Sequence, residues 1–305
     1  MLDVALLGTG GMMPLPNRYL TALLLRLNGN MCLIDCGEGT QMSMKILGWG
    51  YKNIDAICFT HFHADHISGL PGLLLTIGNS GREEALKLIG PRGMKRVYDG
   101  LRMIAPELPF EVEIIELEGG NTINVSGIEL KTIKLNHKVE CLGYSAFVRR
   151  VGRFDVERAK AAGVPQRLWS VLQKNESAEF EGKIFTSDMV LGPERKGIKV
   201  CYCTDSRPVE GLAEFVSEAD LFICEGMYGE NEKIDKAREY KHMLFKEAAT
   251  IAQNGAVKQL WLTHYSPSLT EPKMFLENAR CIFPKTYAGF DRKTTTIAFE
   301  DCEEE

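Results

Sequence analysis

Three of the chain's six histidines fall within six residues, as His61, His63 and His66, with Asp65 between them in Thr60-His61-Phe62-His63-Ala64-Asp65-His66. Imidazole nitrogens and carboxylate oxygens are ligands for borderline divalent metals: zinc by preference, with manganese or iron as alternatives where carboxylates bridge. The cluster directly follows Ile54 to Phe59, an apolar run of strand length. In an irregular loop leaving a strand, residues two apart can face the same side. His61 and His63 are thus placed to grip one ion, while Asp65 and His66 turn toward a second, about 3.5 to 4 Å away. A lone histidine is ordinarily a hydrogen-bonded core or surface residue, but this spacing after a strand points to metal. Each ion needs further ligands, and the sequence offers His137, Asp205 and His264, all at ends of apolar runs beside polar turns.

Positioning such a cluster takes a scaffold. Strand-length apolar runs recur at Val4 to Leu7, Leu20 to Leu25, Met31 to Ile34, Ile54 to Phe59, Val112 to Leu117, Leu142 to Val148, Val200 to Cys203, Leu221 to Cys224 and Leu260 to Thr263. Helical patterns lie between them at Gly39 to Leu47, His66 to Ile77, Lys95 to Ile104, Val209 to Glu218, Phe245 to Gln253 and Lys273 to Cys281. Together they predict an α/β protein of stacked sheet and helix layers. One domain over residues 1–305 is the simplest description. Within it, 149–196 reads as a protruding arm, because its polar and basic composition, its Val164-Pro165 and Gly192-Pro193 breaks and its scattered apolar residues suit an insertion better than a core element.

With 45% apolar residues the chain can build a sizeable core. The nine cysteines are odd in number and mostly sit in strand-like runs, the pattern of buried reduced thiols; neither Cys32 with Cys36 nor Cys201 with Cys203 has the spacing of a metal pair. The N-terminus lacks a basic start and a cleavage site, and no apolar run reaches the roughly 18 residues of a membrane span, so a soluble cytoplasmic protein is expected. A net charge of −5 and the tail Asp301-Cys302-Glu303-Glu304-Glu305 argue against a generally basic surface. Any nucleic-acid contact must be local. The candidate locality carries Arg149, Arg150, Arg153, Arg158, Lys160, Arg167 and Lys174 against only Asp155 and Glu157, although charge runs are commonly solvated helix faces.

Further segments complete a pattern: Leu7-Gly8-Thr9-Gly10, Asp35-Cys36-Gly37-Glu38-Gly39-Thr40-Gln41, Ile67-Ser68-Gly69-Leu70-Pro71-Gly72-Leu73 after the histidine cluster, His137 followed by Leu142-Gly143-Tyr144, Gly152-Arg153-Phe154-Asp155, Leu191-Gly192-Pro193, Thr204-Asp205-Ser206-Arg207-Pro208, and Leu262-Thr263-His264-Tyr265-Ser266. Across nearly its whole length the chain resembles a metallo-β-lactamase-fold hydrolase, and within that superfamily ribonuclease Z, the endonuclease family that removes 3′ trailers from transfer RNA precursors. The resemblance implies an αββα sandwich of two facing mixed sheets with outer helices. It implies that His61, His63 and His137 hold one zinc, that Asp65, His66 and His264 hold the other, and that Asp205 bridges them. Two cations sharing a water lower its pKa until hydroxide can attack phosphorus in line, leaving a 3′ hydroxyl and a 5′ phosphate. It further implies that His242 handles the leaving-group proton and that Glu225 orients it, whereas local sequence alone reads His242 as an exposed helix-start residue. RNA as partner and a homodimer follow from the same resemblance. The helix after Leu70-Pro71-Gly72 is a candidate dimer contact, and equally a core helix.

The chain departs from the family's usual text around substrate handling. Met243-Leu244 follows His242 where Ser-Thr is usual, Gly226-Met227-Tyr228 follows Glu225, Gln166-Arg167 stands where the arm has a glycine-proline turn, and Ser268-Leu269 follows the last metal histidine. These changes motivate a second reading, a hydrolase of small or cyclic nucleotide phosphodiesters or of another ester. A third, a non-catalytic RNA-binding protein stabilised by metal, fits poorly with a constellation that leaves room for water.

Overall fold

The computed structural model describes residues 1–300, so the acidic tail from Asp301, with Cys302, lies outside the described residues. Among the described residues sixteen strands run, in chain order, β1 (Leu2–Gly8), β2 (Ala22–Leu27), β3 (Asn30–Ile34), β4 (Ile54–Cys58), β5 (Leu86–Gly90), β6 (Val112–Glu116), β7 (Thr122–Val125) and β8 (Ile128–Lys134). They continue as β9 (Leu142–Arg150), β10 (Ser177–Phe180), β11 (Lys183–Thr186), β12 (Arg195–Cys203), β13 (Leu221–Glu225), β14 (Leu260–Thr263), β15 (Thr286–Ala288) and β16 (Lys293–Ile297). Two seven-stranded sheets result, ordered β16-β1-β2-β3-β4-β5-β6 and β15-β14-β13-β12-β9-β8-β7. Both are mixed. In the first, β1 pairs antiparallel with β16 and β2, and β3 to β6 are parallel; in the second, β12 to β15 are parallel and β7 to β9 antiparallel.

The apolar runs are near-continuous because both faces of each sheet are covered. On one face of the first sheet Ala5, Leu7, Leu24, Leu33, Ile57 and Leu88 pack against Met44, Leu70, Leu73, Leu74, Ile77 and Met94 of its helices. The alternate residues Val4, Leu6, Leu23, Leu25, Cys32, Ile34 and Cys58 are equally buried. The second sheet repeats this with Cys201, Phe222, Cys224 and Leu262 against Phe245, Ala248, Ala249 and Ala252. The sheets meet where the Tyr144 hydroxyl of β9 donates to the Phe59 carbonyl, at 2.7 Å, and the Leu142 amide to that of Thr60, at 2.9 Å.

Several sequence expectations need correction. The helix expected over His66 to Ile77 is two, Ala64–Ile67 and Leu70–Asn79, because Ser68 and Gly69 turn the chain and Pro71 suits only a first helical turn. Val209 to Glu218 yields only Leu212–Phe215, and Lys273 to Cys281 a 3-10 turn followed by Glu277–Arg280. Leu70–Asn79 spends its apolar face on the core. Of the eight cysteines among the described residues all are free, and only Cys281 is exposed.

The chain divides into two compact units, Met1–Val148 with Ile198–Ala298, and Arg149–Gly197 with Phe299 and Glu300. The second has a small core of its own: Ala159, Val164, Leu168, Leu172, Val190 and Leu191 are buried, with Phe154, Trp169, Phe180 and Phe185 packed against them. Asp155 caps its helix Val156–Ala161 by accepting the Arg158 amide, and β10 and β11 form a hairpin.

Candidate functional site

Every expected metal ligand, together with His242 and Glu225, lies in the first unit, and most sit just beyond the carboxyl ends of parallel strands, where α/β sheets place their ligands. Asp35 follows β3, His61 and His63 follow β4, Asp205 follows β12, Glu225 ends β13 and His264 follows β14. Asp35, Asp205 and His264 hold left-handed backbone, with φ of 62°, 53° and 55°. For residues with a Cβ this conformation is strained and persists only where surrounding contacts enforce it.

Glycines allow two of the segments to meet. The Cys36 amide donates to the His66 carbonyl and the Gly69 amide to that of Cys36. A Cβ on Gly37 would lie 2.3 Å from the Asp65 carbonyl oxygen, and one on Gly69 equally close to that of Gly37. Gly37→Ala should therefore push the metal loop off its seat, at a cost of about 1–3 kcal/mol. A urea midpoint lowered accordingly, with the slope unchanged, is the expected observation, and an unshifted midpoint would contradict this packing.

The donor atoms form two groups, each with its atoms mutually within 4.8 Å: His61, His63, His137 and Asp205 in one, Asp65, His66 and His264 in the other. Asp205 faces both, its carboxylate lying 4.0 Å from His61 Nε2, 3.7 Å from His137 Nε2 and 3.1 Å from Nε2 of both His66 and His264. Imidazole nitrogens confront each other at 2.9 Å for His61 with His63, 3.3 Å for His137 with His63 and 3.2 Å for His66 with His264. Two nitrogens about 2.0–2.1 Å from one tetrahedral ion stand about 3.3 Å apart, so these spacings fit a shared cation. Asp205 Oδ2 is buried and, despite the two nitrogens at 3.1 Å, accepts no well-aligned hydrogen bond among the described residues, as suits a ligand oxygen. The cluster fits divalent metal.

Outer contacts orient these side chains. Asp35, fully buried, accepts His66 Nδ1 at 2.8 Å and both the amide and hydroxyl of Thr60, which aims His66 Nε2 inward. The Met12 amide donates to Asp65 Oδ2 at 2.6 Å. His137 Nδ1 lies 3.3 Å from the Lys241 carbonyl. Burial, reinforced by the neighbouring His66, pushes the His61 pKa well below its ordinary value, and burial lowers His63 and His137 too, so their lone pairs stay available. Burial would raise the Asp65 carboxyl, but its bond with His264 and the charge of His66 hold it below the usual range.

His242 is buried, not the exposed residue local sequence suggested. Its Nδ1 lies 3.1 Å from Glu225 Oε2, and Glu225, wholly inaccessible, also accepts the amides of Ser206 and Met243. Burial favours neutral His242, but the Glu225 carboxylate and then Asp205 more than offset it, raising the pKa to about 9. His242 also joins Asp205 and His264 in a third group with metal-ligand spacing. Arg207 donates to the His242 carbonyl at 2.6 Å and forms a two-pronged ion pair with Glu247, which in turn accepts the Leu244 amide. The departures noted above are used in packing: Met243 joins the core, and Leu244 packs with Met227, Tyr228 and Ala237.

Sequence reading missed Asp35 and Arg207 as site residues. Asp35 stands immediately after the apolar strand β3, whereas Arg207 stands four positions beyond β12 and carries no such signal. The six basic residues proposed for substrate binding all lie in the second unit. Arg149 pairs with Glu194, Lys160 with Glu157 and Arg167 with Glu181, while Arg150 donates to the Glu300 carbonyl beneath the Phe299 ring. Arg149 and Arg158 line one cleft of about 420 Å³ in the second unit, and Arg150 and Arg153 line another of about 600 Å³.

Residues 2–151 match the family model described as anti-Pycsar protein Apyc1. The chain is 57% identical to a protein named ribonuclease Z from Agathobacter rectalis, over 99% of this chain and 100% of that one. It is 55% identical to one of the same name from Lachnospira eligens, over 99% of each. Among solved structures it is similar to the short form of human tRNase Z, with a TM-score of 0.69 at 24% identity over 97% of this chain and all of that one. It is also similar to the metallo-β-lactamase-fold protein YhfI from Bacillus subtilis, with a TM-score of 0.70 at 18% identity over 96% and 98%. At such identities the structural likeness speaks for the fold alone, the αββα arrangement expected from sequence.

Proposed function

The chain belongs to the ribonuclease Z family, and from that premise we propose that it is a metal-dependent endoribonuclease that removes 3′ trailers from transfer RNA precursors. The observation that carries the chemistry is the pair of inward-facing donor groups meeting at Asp205. We assign His61, His63 and His137 to one zinc, Asp65, His66 and His264 to the other, and the bridge to Asp205. When bound, two ions would activate a water for in-line attack and stabilise charge on the phosphoryl oxygens.

The chain's own residues do the remainder. Asp35 fixes the His66 tautomer, and the Met12 amide steadies Asp65. Cleavage breaks the bond between phosphorus and the 3′ oxygen, and His242, held through Nδ1 by Glu225, gives that oxygen its proton from the other ring nitrogen. Arg207 is a positioning residue, since its hold on the His242 carbonyl sets where the ring points. Arg207→Ala is expected to lower kcat roughly ten- to a hundredfold while metal content stays at the wild-type level. Loss of metal together with activity would remove this role.

The unit Arg149–Gly197 is assigned as an RNA-gripping arm, supported by the basic residues that line its two clefts. The enzyme is taken to act as a homodimer, each arm serving RNA seated on the other copy. No helix among the described residues is long and apolar enough to cross a membrane, and the buried free thiols suit the reducing cytoplasm. Deleting the arm should impair precursor cleavage far more than hydrolysis of a chromogenic diester. Equal loss of both would remove the arm's assigned role.

A further inference from the structure

The metal groups line a cavity of about 230 Å³ whose wall also includes Lys138 and Tyr240. Each stands beside a site histidine in the chain: Lys138 follows His137 directly, and Tyr240, the last residue of the helix Ile234–Tyr240, lies two positions before His242. The apolar cluster beneath this helix is built from Met227, Tyr228, Ala237 and Leu244 and does not use the Tyr240 ring, which is 44% exposed. Lys138 is exposed too and makes no ion pair among the described residues. Its ammonium lies 4.7 Å from the Tyr240 ring centroid, so a flexible cation is kept beside an aromatic face.

Among the described residues, neither side chain hydrogen-bonds a candidate metal ligand. An aromatic face offers every nucleobase a stacking surface, and an unpaired ammonium is a point charge for phosphate. Set together on the wall of a cavity that holds the candidate metal ligands, they supply what one nucleotide flanking the scissile phosphate needs. We propose that Lys138 and Tyr240 form a single-nucleotide subsite, with Tyr240 stacking the base adjacent to the cleaved bond and Lys138 holding a neighbouring phosphate. The subsite rests on the reading that the substrate is RNA. Stacking makes it tolerant of base identity, and an adjacent nucleotide that is single-stranded suits it, since a paired base keeps its faces within the helix.

The test uses the metal-loaded full chain and a precursor RNA carrying 2-aminopurine, in separate preparations, on either side of the scissile phosphate. On rapid mixing, fluorescence from one of the two positions should fall before cleavage, as the base stacks. Tyr240→Phe should keep the fall. Tyr240→Leu and Tyr240→Ala should lose it and raise KM about tenfold or more, with a smaller effect on kcat. Lys138→Ala should raise KM and reduce the slope of log KM against log salt by about one, and Lys138→Arg should restore both. Wild-type quenching and KM in Tyr240→Ala would overturn the subsite while leaving the RNA substrate standing. A wild-type chain that neither binds nor cuts the precursor would overturn both.

Discussion

Asp205→Ala is expected to strip the metal and with it the activity, reducing precursor cleavage on the order of 10⁴-fold or more. Asp205 is the carboxylate that faces both donor groups, within 4.0 Å of His61, His66, His137 and His264. Without it, Asp65 beside His66 and His264 is the anion left facing these buried imidazoles, and two cations brought near each other would have no carboxylate to share. Asp205→Asn keeps the shape and removes the charge, so it should resemble alanine in metal content while disturbing the fold less. Metal analysis of both variants, alongside thermal unfolding, is the measurement. A variant that keeps wild-type metal and loses only activity would recast Asp205 as a group acting on substrate.

His242→Ala is expected to produce a different loss, with metal retained and kcat on RNA lowered about 10²- to 10⁴-fold, the usual worth of a positioned proton donor. The reason lies in the leaving group. The 3′ oxygen of a nucleotide is a poor anion and needs a proton as the bond breaks, whereas p-nitrophenolate leaves unaided. A chromogenic diester should therefore be much less sensitive to the substitution than RNA. Glu225→Gln should fall in the same direction and less far, because its amide still bonds to His242 but supplies no charge. Since His242 also lies within ligand distance of Asp205 and His264, its metal content decides between roles. If the variant lost an ion and was impaired equally on both substrates, His242 would be a ligand.

Much of this was legible because the scaffold's core strands are covered on both faces and so declare themselves as apolar runs. Others were overlooked. β8 is half-buried and alternates, with Ile128, Leu130 and Thr132 buried between exposed Glu129 and Lys131, a period-two signal that a search for continuous apolar runs passes over. β5 is only five residues long and includes Lys87. The histidine cluster was legible because its four ligands fall within six residues. Asp35 was not, since its service to His66 depends on β3 lying parallel to β4, a pairing no local window contains. Arg207 was hidden for the same reason, its partners His242 and Glu247 being some forty residues away or nearly so.

The arm shows what a count of charges along the chain leaves out. A basic run read from 149 to 174 has few acids within it, but folding brings Glu181 to Arg167 and Glu194 to Arg149. These pairings join residues too far apart in the chain for a local count to register. The departures after His242 and Glu225 also lose some of their weight as signs of another substrate, since Met227, Met243 and Leu244 are buried and pack behind the loop that presents His242.

A two-metal centre that hydrolyses a transfer RNA precursor is tested by joining metal analysis to cleavage on one preparation. The expected result is two divalent ions per chain and a single cut at the 3′ trailer, leaving a 3′ hydroxyl and a 5′ phosphate, with both lost on chelation and restored together by zinc or manganese. Cleavage of a cyclic nucleotide or other small diester with no cut in any precursor would contradict it, as would full activity with one ion or none.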